Sequence, residues 1–364
     1  MFIVEALDYL HDALDNPLLL PDLPLTAAET VLGAFVFHRH GDRTAKSHPP
    51  VSLTPLDAVH HGIYRLGHCE PQTALGNNLG RLCAAEQRLC AAEQRVQVFL
   101  QGLYPGCNNA YLTRTEYLTT FANTHDLYQS LLPVYNTTFP AEKATFANAY
   151  AIHDHNVATI HTSPTPVPAA TLTSLRTLAD AHEWSLACNT SSPARAIAGA
   201  VLAASVLQSL NTTLLSPAAE KLTVQFGPYG TFMSLFGLAQ LPAASGDFYG
   251  VVDYASGMMF ELITDVDGVE DVGVWFRFVN GSAGAGNVPK AFPLFGRRET
   301  VLPWGDFVKE MEGIAVGSVG EWCRVCGNED GVCVAAEGVV ATGGGGSGVS
   351  KVVAGVIGAW WHLL

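Results

Sequence analysis

Val31-Leu-Gly-Ala-Phe-Val-Phe-His38, followed at once by Arg39-His40-Gly41-Asp42-Arg43, is the stretch on which the fold turns. The first eight residues are apolar and β-rich, of strand length, with no polar alternation. That pattern predicts a strand buried on both faces, as in a parallel sheet covered by helices. Ligands in open α/β sheets bind beyond the carboxyl ends of the strands, so the five residues that follow fall where a site is expected. Two arginines flank one histidine there. Guanidinium forks hold phosphate oxygens bidentately, and Gly41 lets the backbone turn and come close. A neutral imidazole held against an Arg-bound phosphoryl group can attack phosphorus and form a covalent intermediate.

Outward from that stretch, helical and strand patterns interleave. Helical spacing predicts helices over 5–14, 170–186 and 193–210, and apolar runs predict strands over 222–226, 255–263 and 272–279. The class is therefore α/β, with a central, mainly parallel sheet flanked by helices. Arg81–Gln87 repeats identically as Arg88–Gln94, a unit too short for a solenoid and read as a duplication within one helix. One domain is expected over 1–342. A Gly-rich linker and hydrophobic tail follow over 343–364. The apolar run Val352–Leu364, broken only by His362, is shorter than the ~20 residues a spanning helix needs. It reads either as a terminal helix docked on the core or as attachment to a membrane or cell wall.

Charge and composition narrow the classes. Hydrophobic residues make up 48% and charged residues 14%, so disorder is excluded, and a net charge of -14 argues against a nucleic-acid partner. An anionic substrate must be held by a local arginine cluster working against that global field. Sequons at Asn136, Asn189, Asn211 and Asn280, with eight Cys, favour a secreted or cell-surface glycoprotein. Met1–Pro24 carries five acidic residues and no basic n-region, so it does not read as a signal peptide. Either the protein is cytosolic, or its leader precedes this sequence.

Arg39-His-Gly-Asp-Arg-Thr44 resembles the nucleophile motif of the histidine acid phosphatases, the branch of the histidine phosphatase superfamily that includes fungal phytases. Phe99-Leu-Gln-Gly-Leu-Tyr-Pro105 resembles the family's helix after its next arginine site. Tyr254–Leu262 and Val274–Asn280 resemble its late paired strands, and Pro303–Met311 its C-terminal helix. Cys323, Cys326 and Cys333 resemble its terminal disulfide region. The resemblance implies a phosphoglycerate-mutase-like fold with a smaller helical cap within 105–190, and a phosphomonoester substrate, with no cofactor and no metal. His40 is then the nucleophile that becomes phosphohistidine, and Arg39 and Arg43 bind the phosphoryl oxygens. The family's third phosphate-binding arginine falls, by spacing, at Ala91; Arg88 and Arg95 lie nearby, and Arg95 is the candidate.

One departure bears on chemistry. The family's leaving-group acid is the Asp of a His-Asp pair between a strand and a helix. Pro228-Tyr229 stands at the matching place, within Val224–Phe236. A phenol with a reference pKa of about 10 is a poor acid, and loss of a general acid typically costs ~10²–10⁴-fold. The expectation is impaired turnover of alkyl esters or, alternatively, an inactive phosphate-binding pseudophosphatase. A literal His-Asp pair occurs in Ile152-His153-Asp154-His155, read as a polar surface loop and weak as a metal site. His60, His61 and His68 read as helix-surface histidines.

Overall fold

A computed structural model describes residues 29–39, 109–135, 139–159, 167–188, 193–216, 221–265, 272–281, 288–327 and 333. The opening strand runs over Glu29–Arg39 (β1). Side chains alternate across a strand, so Phe35 and Phe37 point to one face and Ala34 and Val36 to the other. All four are buried, as the unbroken apolar run requires.

Beside β1 lie Leu222–Gly227 (β2) on one edge and Gly257–Asp265 (β3) on the other. Val272–Val279 (β4), Lys290–Phe292 (β5) and Val301–Pro303 (β6) complete the sheet. The order is β2-β1-β3-β4-β5, with β6 also paired to β4. Only β1 and β2 pair in parallel; β1–β3, β3–β4, β4–β5 and β4–β6 are antiparallel. The expectation of a mainly parallel sheet is therefore corrected: the described sheet is mixed and mostly antiparallel. The physical reason is connection length. A parallel pair needs a crossover of about a dozen or more residues, and the few residues between β3 and β4 permit only a return in the opposite direction.

Helices cover the Phe35 face. Ile197–Leu215 (α7), Tyr229–Leu238 (α8) and Trp304–Ile314 (α9) bring Leu202, Ala203, Val206, Phe232, Leu235, Phe236 and Phe307 against Phe35, Phe260 and Phe276. The expected helix over 193–210 becomes a 3₁₀ turn, Pro193–Ala196, leading into α7, because Pro193 fits a first turn but not an interior. By length and composition α7 could cross a membrane, but its inner face fills this core.

Earlier helices gather round a second apolar cluster. They are Asn109–Leu112 (α1), Thr115–Asn123 (α2), His125–Ser130 (α3), Leu132–Tyr135 (α4), Ala149–Thr159 (α5) and Ala169–Ala187 (α6). Tyr128, Phe146, Ile152, Leu175 and Ala179 are among its fully buried members, and Met233 of α8 joins it. On the far face of the sheet, Glu261 and Arg277 form an ion pair at 3.0 Å, both almost wholly buried.

Val319–Cys326 (α10) ends the described fold and carries a disulfide, Cys323–Cys333, with Cα atoms 5.6 Å apart. That fulfils the expectation of one bridge among Cys323, Cys326 and Cys333. Asn211 is exposed on α7, as its sequon requires. Asn280 is half-buried, and its Oδ1 accepts from the Asp253 N–H at 2.8 Å and from Ser256 Oγ at 2.9 Å, so it is not the freely exposed sequon expected. Asn136, Asn189, the helix over 5–14, the duplicated unit and the hydrophobic tail lie outside the described residues.

Candidate active site

Arg39 closes β1 and Gly227 closes β2, and the two are paired across the parallel ladder. Two neighbouring parallel strands therefore end side by side, the geometry that leaves a crevice beyond their carboxyl ends. Chain direction alone places the Pro228-Tyr229 turn against Arg39. Pro228 is extended, at φ -79°, and caps α8, and Tyr229 is the first residue of that helix.

Arg39 is 2% exposed. Its backbone N–H donates to the Ser256 carbonyl at 2.8 Å. One terminal nitrogen donates to the Val252 carbonyl, the other to Tyr150 Oη at 2.9 Å. The guanidinium carbon lies 4.0 Å from the centre of the Tyr254 ring and 5.1 Å from that of Tyr229. Ring faces are electronegative, so desolvated guanidinium is stabilised between them. Among the described residues Nε of Arg39 has no hydrogen-bond partner.

Around this cation the phenols lead on to two carboxyl groups. Tyr150 Oη donates to Asp154 Oδ1 at 3.3 Å, and Tyr254 Oη donates to the same oxygen at 2.5 Å. Tyr150 and Asp154 are four residues apart on α5 and so share a face. Tyr229 Oη donates to Glu183 Oε2 at 2.8 Å, and Glu183 Oε1 meets His182 Nδ1 at 2.9 Å. Burial of the Tyr229 hydroxyl, reinforced by the neighbouring Glu183 charge, holds that phenol well above its ordinary pKa. Tyr229 is therefore a fixed donor to Glu183, even less able to release its proton to an ester than a free phenol.

The loop that carries Val252 and Tyr254 is pinned from α6. Arg176 Nε meets Asp180 at 3.0 Å and its Nη1 meets Asp253 Oδ1 at 2.9 Å, while the Val251 N–H donates to Asp180 Oδ1 at 2.8 Å. His153 lies within the field of these charges. Burial first, then the Arg176 charge, lowers its pKa to about 4, against the opposing pull of Asp154 and Asp253. Burial likewise lowers His38 to about 4, so the imidazole preceding Arg39 is neutral at physiological pH.

Of the residues expected in the site, Arg39 and Tyr229 are brought together, with Pro228 at the turn; His40, Arg43, Arg88, Ala91 and Arg95 lie outside the described residues. The reading of Ile152–His155 as a polar surface loop is corrected. These residues lie inside α5, and Asp154 and His155 are buried. The physical reason is that α6 packs on α5 and the loop near Tyr254 covers Asp154, both contacts from distant sequence. Tyr150, Glu183 and Val252 went unmarked; the i, i+4 pairing of Tyr150 with Asp154 was the available signal. Among the described residues no group of three or more His, Cys, Asp or Glu is arranged to hold a metal.

No family model and no curated protein matches the chain. Solved structures to which it is similar are phytases. Hafnia alvei phytase in complex with tartrate is 13% identical, over 82% of this chain and 99% of that one, at a TM-score of 0.47. The phytase from Citrobacter braakii is also 13% identical, over 82% and 99%, at 0.45. Klebsiella sp ASR1 phytase is 11% identical, over 83% and 97%, at 0.47.

Proposed function

We propose that the chain is a phosphomonoester hydrolase of the histidine acid phosphatase type, working on small-molecule phosphate esters. The observation that carries this reading is the position of Arg39. A buried guanidinium stands at the carboxyl ends of adjacent parallel strands, with only neutral groups in direct contact among the described residues. In this reading His40 attacks phosphorus as the ester oxygen departs. The phosphohistidine is then hydrolysed by water, in a sequence that calls for no cofactor. Arg39, with Arg43 and Arg95, binds the phosphoryl oxygens, and charge placed where the transition state develops it is worth several kcal/mol. The Cys323–Cys333 bridge supports an oxidising compartment, hence a secreted or cell-surface protein.

A second reading, phosphate binding without turnover, is favoured by one feature: Tyr229, at the place of the leaving-group acid, is fixed on Glu183. The two readings separate in an assay of para-nitrophenyl phosphate across about pH 3–8, wild type beside His40→Ala, since an aryl leaving group needs little protonation. Hydrolysis that vanishes in the variant supports the enzyme. Phosphate binding by an inert wild type supports the second reading.

A further inference from the structure

Arg195 sits in the 3₁₀ turn, Pro193–Ala196, that opens into α7. It is 3% exposed, and among the described residues its Nε, Nη1 and Nη2 all lack a hydrogen-bond partner. A guanidinium is a donor at every nitrogen, and a buried charge is ordinarily paired and hydrogen-bonded. Arg39 has two acceptors on its terminal nitrogens; Arg195 has none. The guanidinium carbon lies 4.9 Å from the centre of the Tyr111 ring, whose face offsets only part of the lost hydration. Burial first, then the like charge of Arg114, pushes the Arg195 pKa below the ordinary value, and the pull of the exposed Glu116 is smaller than that push. Ala196, at the N-cap of α7, has no side-chain acceptor, so the positive end of this 19-residue helix adds to the same field.

We propose that Arg195, at the start of α7, binds a small, doubly charged oxyanion, either inorganic phosphate or the phosphate group of an ester. Two guanidiniums and a helix N-terminus supply more than one unit of positive charge, which a dianion balances and a single carboxylate does not. A tetrahedral anion also presents paired oxygens to the planar guanidinium fork. Arg114 and Cys188 act on Arg195 and are themselves only half-buried, so the site lies a short way beneath the surface and is entered from their side. Tyr111 is not one of the rings around Arg39, and the site stands independently of the role given to Arg39.

The test is calorimetric titration of the full chain with inorganic phosphate, in wild type, Arg195→Met and Arg39→Met. Replacing an unpaired buried charge by a hydrophobe of similar volume is often neutral or stabilising, so Arg195→Met is expected to fold. It is expected to lose one phosphate site, which Arg39→Met keeps. Phosphate binding unchanged by Arg195→Met overturns the proposal, as does a wild type that binds no phosphate. A single wild-type site that is lost in Arg195→Met and kept in Arg39→Met supports the proposal and fails the Arg39 reading instead. Methylphosphonate, which carries a substituent and cannot be hydrolysed, separates the two sources. Binding at Arg195 as tight as that of phosphate assigns the site to an ester, and rejection assigns it to free phosphate; either result upholds the site. Should Arg195→Met not fold, alkylation of Cys188 by iodoacetamide in wild type decides, with the modified peptide read by mass spectrometry. Phosphate is expected to slow that reaction relative to chloride at equal ionic strength, and no slowing overturns the site.

Discussion

Gly199→Ala sets two known effects against each other, and the structure decides the sign. Alanine is the better helix former by about 1 kcal/mol, so propensity alone favours the change. But Gly199 is where α7 crosses α8. A Cβ there would stand 2.4 Å from the Leu235 nitrogen, 2.5 Å from the Ser234 carbonyl carbon and 2.8 Å from the Leu235 Cα. Carbon contacts settle at about 3.5–4.0 Å, so the helices must part by roughly 1 Å. All three obstructing atoms are backbone and cannot rotate aside, so the cost belongs at the upper end of the ~1–3 kcal/mol typical of overpacking. The net effect is a loss of about 2 kcal/mol, read as a lower midpoint in urea with an unchanged slope. Gly313 in α9 is the control, because a Cβ there meets nothing within 4 Å. Gly313→Ala is expected to gain about 0.5–1 kcal/mol. Since α8 begins at Tyr229, the displacement in Gly199→Ala also loosens the wall around Arg39. A Gly199→Ala protein as stable as wild type, or more stable, would refute the reasoning.

Three further outcomes follow from the contacts. Opening the Cys323–Cys333 bridge by a double change to serine frees a loop with a sequence separation of 10, and chain entropy puts the loss at about 2.7 kcal/mol; an unchanged urea midpoint would contradict this. Tyr254→Phe keeps the ring against Arg39 but loses the bond to Asp154, costing ~1.5–3 kcal/mol, while Tyr254→Ala also loses the cation–π contact, ~2 kcal/mol more. Equal losses in the two variants would show that the ring contributes nothing. His153, lowered to about 4, stays neutral in the folded protein while the unfolded chain takes up its proton near pH 6.5. The stability it contributes is therefore present above pH ~6.5 and is lost as pH falls toward about 4. His153→Gln should show a flatter stability profile over that window, and parallel profiles would contradict the assignment.

What the sequence revealed, and what it hid, divides by the distance over which each feature is determined. β1 and its role in placing Arg39 were legible, because an unbroken apolar run followed by a dense polar motif is a local signal. The turn at Pro228-Tyr229 was legible for the same reason, and the parallel pairing of β1 with β2 sets it beside Arg39. Sheet direction was misjudged, although the short gap between the expected strands 255–263 and 272–279 already required an antiparallel return. Asp154 was misread because His-Asp-His beside a Pro-rich stretch looks solvated. Its burial comes from α6 and from Tyr254, 100 residues away. The tyrosine walls of Arg39 arrive from α5, α8 and the loop before β3, so no local pattern announces them.

Trapping a phosphohistidine at His40 during turnover separates a nucleophilic His40 from every other route. The protein is mixed with para-nitrophenyl phosphate and quenched in alkaline denaturant, where a nitrogen–phosphorus bond survives. It is then digested, and the phosphoryl group is located by mass spectrometry. Phosphate is expected on the peptide containing His40, and none in His40→Ala. A preparation that turns over the ester yet carries no label, or carries it on another residue, would contradict the account.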